Sequence, residues 1–231
     1  MLHDRRSANQ LNSWVIESKY SETALAHEAN LDEWRKPTIW GIEPRDTCLV
    51  LGKSQRGRSF LNLDYLEEES INLTVRQSGG GAVLVSPKDM LWVDIFVPKE
   101  SKFWVADIAK ASIWIGGIWR DALKRLDIEC FLFDEKFVRS EASDLICFVG
   151  RAPGELFVDD RKILGISQRR SKFGTRFQCA LIINWEPEHM IAAYSSAPIP
   201  NLDKLISSAG IGSGCEKHSA WDAFLSALPS L

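Results

Sequence analysis

Apolar positions recur at helical spacing in a few stretches of the chain and in short strand-like runs elsewhere. Trp104, Ile108, Ala111, Ile115, Ile118 and Ala122 follow one another at steps of three or four, which predicts a long helix from about residue 103 to 126. Gly116-Gly117 inside it either weakens the helix, at about 1 kcal/mol per glycine, or marks close packing against a neighbour. Trp221, Phe224, Leu225 and Leu228 place another helix near the C-terminus. Ser21 offers an N-cap oxygen to a helix of about 13 residues carrying Leu25, Glu28, Ala29 and Leu31, with a break at Pro37. Residues 12–19, Ile39-Trp40, 47–51, 73–75 and 91–97 are β-rich runs bounded by Gly, Pro, Asp or Asn, as strands should be. Glu155 to Val158, the turn Asp159-Asp160, and Lys162 to Ser167 predict a hairpin, with residues 176–184 as the next strand. The order lacks a strict βαβ rhythm. It predicts an α+β fold, a single mixed, largely antiparallel β-sheet domain with flanking helices, spanning residues 1–231.

Composition narrows the function classes. With 45% hydrophobic residues in 231, the chain has the material for a real core. Twenty-eight basic against 31 acidic residues give a formal charge of -3, which offers no general attraction to nucleic acid or to an anionic membrane. The five cysteines are scattered and form no CxxC pair, so neither a disulfide framework nor a metal site is expected. No run approaches the ~18 apolar residues of a membrane span. A cytoplasmic protein is expected.

Two segments stand out chemically. Arg76-Gln77-Ser78-Gly79-Gly80-Gly81-Ala82-Val83 lies between two predicted strands. Adjacent glycines are costly in chain entropy, but they let backbone N–H groups approach a ligand oxygen; the plain alternative is a flexible turn. It is neither a Walker loop nor a dinucleotide fingerprint. The second segment, Gly154 to Arg170, carries Lys162 ahead of an apolar run with Gly165 three positions on. A lysine there is either a solvated side chain beside a turn or an ammonium in a partly dry pocket wall, where its charge is felt strongly. Arg169 and Arg170 read as a solvated face.

Taken in order, these pieces resemble the lipoate–protein ligase and octanoyltransferase family, which shares its catalytic-domain fold with biotin–protein ligases. The resemblance covers about residues 14–186. It is carried by Ala24-Leu25-Ala26-His27-Glu28, Ile39-Trp40, Asp46-Thr47 leading to Gly52-Lys53-Ser54-Gln55, the loop Arg76 to Val83, and Lys162-Ile163-Leu164-Gly165-Ile166-Ser167-Gln168. It implies that Arg76, Ser78, Gly79, Gly80, Gly81, Ala82 and Gly165 line an acyl or acyl-adenylate site and that Lys162 is catalytic. About 45 residues follow the matched region, so no separate accessory domain is expected. Where many relatives have His-Gly after the lysine segment and His-Asp after the glycine loop, this chain has Cys179-Ala180 and Val85-Ser86.

The family offers two chemistries. The ligase reading, placed first on the glycine loop, uses ATP with Mg2+ to form an acyl-adenylate from lipoate or octanoate and passes the acyl group to a lysine. In the other, Cys147-Phe148 followed by Glu155 and Lys162 resembles the spacing around the nucleophile of ATP-independent transferases, and Cys147 carries a thioester. The plain alternative for Cys147 is a small buried hydrophobe. Implied partners are a lipoyl-domain protein (a 2-oxoacid dehydrogenase subunit or a glycine cleavage H protein) or an acyl carrier protein. Biotin ligation and a non-catalytic acyl-acid-binding module are the remaining readings.

Overall fold

A computed structural model describes residues 14–29, 34–53, 55 and 60–229. Among these described residues ten strands divide between two sheets: β1 Val15–Ser21, β2 Thr38–Pro44, β3 Cys48–Leu51, β4 Asn72–Val75, β5 Val83–Val85, β6 Met90–Pro98, β7 Phe131–Leu132, β8 Leu156–Val158, β9 Arg161–Ser171 and β10 Gly174–Ile182. The large sheet runs β1-β2-β6-β10-β9-β8-β7 and is antiparallel except for the parallel β1–β2 pair. The small one runs β4-β3-β5. The α+β, largely antiparallel fold expected from the sequence is thus found, with a second sheet that periodicity did not separate.

Alternation along β6 explains the layering. Leu91, Val93, Ile95 and Val97 join a core with Ile115, Ile118 and Trp119 of helix α3 (Ile108–Lys124) and Trp221 and Phe224 of α7 (Lys217–Ala227). Met90 and Trp92, on the opposite face, pack with Cys48, Val50 and Val85 of the small sheet. All nine β6 residues are therefore buried, which is why the run is apolar apart from Asp94.

Helix α3 starts later than the spacing predicts, because Asp107 caps it by accepting from Lys110 N at 2.8 Å. The close-packing reading of Gly116 holds: a Cβ there would overlap the Gly154 carbonyl, whereas Gly117 faces open space. Helix α1 (Thr23–His27) has five residues rather than about 13. Ser21 ends β1 and does not cap it; Asp46 Oδ1 instead accepts from Thr23 N at 2.8 Å. Leu25 is exposed, and Leu31 lies outside the described residues. The hairpin between β8 and β9 turns on Asp159 and Asp160, both at positive φ, as a two-residue turn requires. Four short helices carry too few turns to show a period: α2 Leu63–Glu68, α4 Glu141–Leu145, α5 Glu188–Ala193 and α6 Leu202–Ala209. Arg170 is not a solvated residue. It donates to the carbonyls of Val105, Ala106 and Asp107 and so ties β9 to the segment ahead of α3.

Candidate acyl-binding site

The two sheets face each other across an apolar slot of about 50 Å³. Trp92, Ala180 and Gly165 stand opposite one another on β6, β10 and β9, and form its floor. Val50, Val83 and Val85 cover it, and His27, Arg76, Cys147 and Phe148 complete the wall. Gly165 leaves room for the Phe148 ring, whose Cζ would lie 3.5 Å from an added Cβ. Beside the slot is a more polar chamber of about 270 Å³, lined by Ser78, Gly79, Gly80, Gly81, Glu155 and Lys162 among others. Cys147, Ile166 and Ser167 belong to both walls.

Hydrogen bonds tie the glycine loop to its neighbours, so it is not a free hairpin turn. Arg76, which is buried, donates from Nη2 to the carbonyls of Gly79 and Gly81, each at 2.8 Å, and from Nη1 to Val50 O at 3.3 Å. Its role is to shape the loop from behind as well as to line the slot. Ser78 Oγ lies 3.1 Å from Ser167 Oγ, which joins the loop to β9. Gly80 has φ +98°, and a Cβ on Gly52 would overlap its carbonyl. Ala82 bridges to the turn Cys147–Val149: Ala82 N donates to Leu145 O at 2.6 Å and Cys147 N to Ala82 O at 3.0 Å. Helix α4, fixed by a reciprocal Ser140–Ser143 capping box, delivers that turn.

Gly81 is where loop and turn touch. A Cβ on it would fall 2.7 Å from backbone atoms of Ile146 and Cys147, whereas one on Gly79 meets nothing. Gly81→Ala is therefore expected to lower the denaturant midpoint by about 1–3 kcal/mol in stability, with Gly79→Ala losing clearly less. Equal losses would show that the close approach has no energetic weight.

Lys162, at 1% exposure, is a pocket-wall ammonium and not a solvated one. Its Nζ pairs with Glu155 Oε2 at 2.8 Å, donates to Cys147 O at 2.9 Å, and sits 5.4 Å from the centre of the Phe148 ring. Burial pushes the Glu155 carboxyl up, and the Lys162 ammonium and the N–H groups of Ala152 and Ile166 pull against it. Cys147 is half-buried, and so is not the core residue its apolar flanks allow. Cys179, by contrast, is fully buried toward Trp119, and burial raises its thiol well above the ordinary range. Only the main chain at Cys179 borders the slot face, since its side chain sits in the α3 core with Val93 and Ile166.

A second polar group beneath the slot was not legible as such. Arg176 Nε donates to Asp94 Oδ2 at 2.9 Å, its Nη2 contacts the same oxygen, and Nη2 also donates to Ala26 O at 2.6 Å. Asp94 further accepts from Trp92 Nε1 at 2.8 Å. Each is a lone charge within a buried apolar strand, and that is the signal that could have found the pair. His27, which the arginine holds through the end of α1, is pushed down to about 3 by burial and by the charges of Arg176 and Arg76. Unfolded, it takes a proton near its ordinary 6.5. Between those values the unfolded chain binds more protons, so stability is intact above about pH 6.5 and falls as pH is lowered, by up to about 1.4 kcal/mol per pH unit. Denaturant midpoints from about pH 7 to about pH 5 should show this slope, and His27→Gln should remove it.

The apolar slot thus meets, at Cys147, Ile166 and Ser167, a chamber that holds a paired cation and a glycine-rich loop. The chain belongs to the lipoyl protein ligase A/B catalytic domain family, whose model matches residues 19–209. Its fold is similar to that of lipoate-protein ligase A bound with ATP (TM-score 0.72, 14% identity, 93% of this chain and 82% of that one). It is also similar to a putative lipoate protein ligase from T. acidophilum with bound lipoic acid (TM-score 0.70, 14% identity, 93% and 82%). A third similar structure is a bi-partite lipoate protein ligase studied with its E2 lipoyl domain from Thermoplasma acidophilum (TM-score 0.69, 15% identity, 93% and 82%). No curated protein matches the chain by sequence. Among the described residues no helix is long and apolar enough to cross a membrane.

Proposed function

We propose that this chain, acting as one catalytic domain, attaches a lipoyl or octanoyl group to a lysine of a lipoyl domain, and that Cys147 carries the acyl group as a thioester. The observation that supports this reading is the position of Cys147, which borders both the apolar slot and the Lys162 chamber. An acyl chain lying in the slot brings its carbonyl to that junction. In the first step the Cys147 thiolate attacks the carbonyl of a thioester donor of the acyl-carrier type, the donor thiol leaves, and it takes up a proton. In the second the target lysine amine attacks the Cys147 thioester, the amide forms, and the cysteine thiol is restored with the amine's proton. Both steps build negative charge on the carbonyl oxygen. The Lys162 ammonium and the N–H groups of a loop whose Gly79 and Gly81 carbonyls are already engaged are the groups suited to receive it.

That the similar bi-partite ligase of Thermoplasma acidophilum has its own E2 lipoyl domain supports a lipoyl-domain partner. The ligase reading stands second, supported by the glycine-lined chamber itself. Among the described residues no group of three His, Cys, Asp or Glu side chains converges to hold a metal, so in that reading Mg2+ would arrive on the nucleotide's phosphates. Incubation with an octanoyl thioester and no ATP, followed by intact mass and peptide mapping, should find an octanoyl adduct on Cys147. An unmodified protein that instead retains acyl-adenylate when given ATP and lipoate would replace this reading with the ligase one.

A further inference from the structure

One polar atom in the slot wall has no part in the chemistry just described. His27 is 7% exposed, lines the slot, and lies against Trp92 with ring centres 4.7 Å apart. Its Nδ1 is 3.1 Å from Gln178 Nε2, whereas Nε2 is buried and has no hydrogen-bond partner among the described residues. The tautomer follows from the neighbours. The atom facing Nδ1 is the Gln178 amide nitrogen, which can only donate, so Nδ1 accepts. A ring whose Nδ1 accepts carries its proton on Nε2, and the imidazole remains neutral because burial and two arginines oppose a second proton. The slot wall therefore contains a buried N–H donor with no partner among the described residues.

Its place along the slot decides what it meets. His27 stacks over Trp92 on β6, and Phe148, next to Cys147, lies over Gly165 on β9. Trp92 stands opposite Ala180 on β10, and Ala180 opposite Gly165, so two strand spacings, about 10 Å, separate the two ends. A medium-length acyl chain with its carbonyl at Cys147 reaches that far with its tail.

We infer that His27 is a specificity-determining residue that selects an acyl chain bearing a hydrogen-bond acceptor, a sulfur or an oxygen, at the end remote from its carbonyl, over a chain ending in plain alkyl. This rests on the proposed placement of the acyl group in the slot. A purely apolar slot disfavours a tail that carries an oxygen, because the oxygen loses its water without replacement. An N–H waiting at the same place reverses that preference, since leaving a buried donor unpaired is the more costly outcome.

Calorimetric titration of the full chain with octanoate and with ω-hydroxyoctanoate tests this. The wild type should bind the hydroxy acid at least as tightly as octanoate. His27→Leu should shift the ratio of the two dissociation constants roughly 10-fold toward octanoate, and His27→Gln, which keeps an N–H donor, should retain most of the wild-type ratio. A wild-type preference for octanoate, or a ratio that His27→Leu leaves unchanged, overturns the role of His27 while leaving the acyl slot in place. Failure of the wild type to bind either acid overturns the acyl slot and this inference together.

Discussion

Cys147→Ser should reduce ATP-independent acyl transfer to a lipoyl domain by on the order of 10³-fold or more, with little change in thermal midpoint. The side chain is half-buried and serine has nearly its shape, so the fold has no reason to respond. The chemistry has every reason to, because a serine hydroxyl at that junction lacks the acidity of a thiol. The Lys162 ammonium is already committed to Glu155 and to the Cys147 carbonyl. Octanoyl-carrier protein, lipoyl domain and intact-mass readout suffice, with ATP omitted. Transfer that survives the substitution would remove the thioester, and transfer that appears only with ATP and free acid would install the adenylate in its place.

The second large effect concerns stability. Lys162→Met leaves Glu155 buried without its counter-charge, which is expected to cost about 3–5 kcal/mol at neutral pH. The deficit should shrink as pH is lowered. Without the ammonium nothing but two N–H groups opposes the rise of the Glu155 carboxyl, so the variant's native state takes up a proton first and is favoured in acid relative to the wild type. Lys162→Met combined with Glu155→Gln should recover most of the lost denaturant midpoint, because no uncompensated charge remains. It should recover none of the transfer activity. Recovery of both would mean that Lys162 only supports the fold. An equal loss in single and double variants would mean that the pair is not the unit of stability.

The departures between sequence and structure have physical reasons. Lys162 beside a turn reads, taken alone, as a solvated side chain, since only the arrival of Glu155 across the β8–β9 hairpin makes its burial tolerable. The register shift between Leu156 and Phe157 is part of that placement, and no local pattern encodes it. Ser21 has a capping side chain, yet Asp46, 23 positions from Thr23, accepts from the Thr23 N–H and hydroxyl at the start of α1. Long-range partners outcompeted the local one. The resemblance found the glycine loop, Lys162 and Cys147, but it did not distinguish side chains that could touch an acyl group from those, such as Arg76, whose hydrogen bonds are largely spent on holding the loop.

Periodicity and residue type determined the strands other than the short β5 and β7, the α3 and α7 faces and the hairpin at Asp159-Asp160, and the order of short motifs determined the family, because each depends on neighbours within a few positions or on motif order. The tertiary structure alone decided that Arg76 and Ser167 tie down the glycine loop, that Cys147 borders two cavities, and that His27 lines the slot with a buried Nε2 unpartnered among the described residues. Those properties arise where β3, β6, β9 and the Cys147 turn converge. Burial and pairing are set there by groups dozens of residues apart, which a linear pattern does not record.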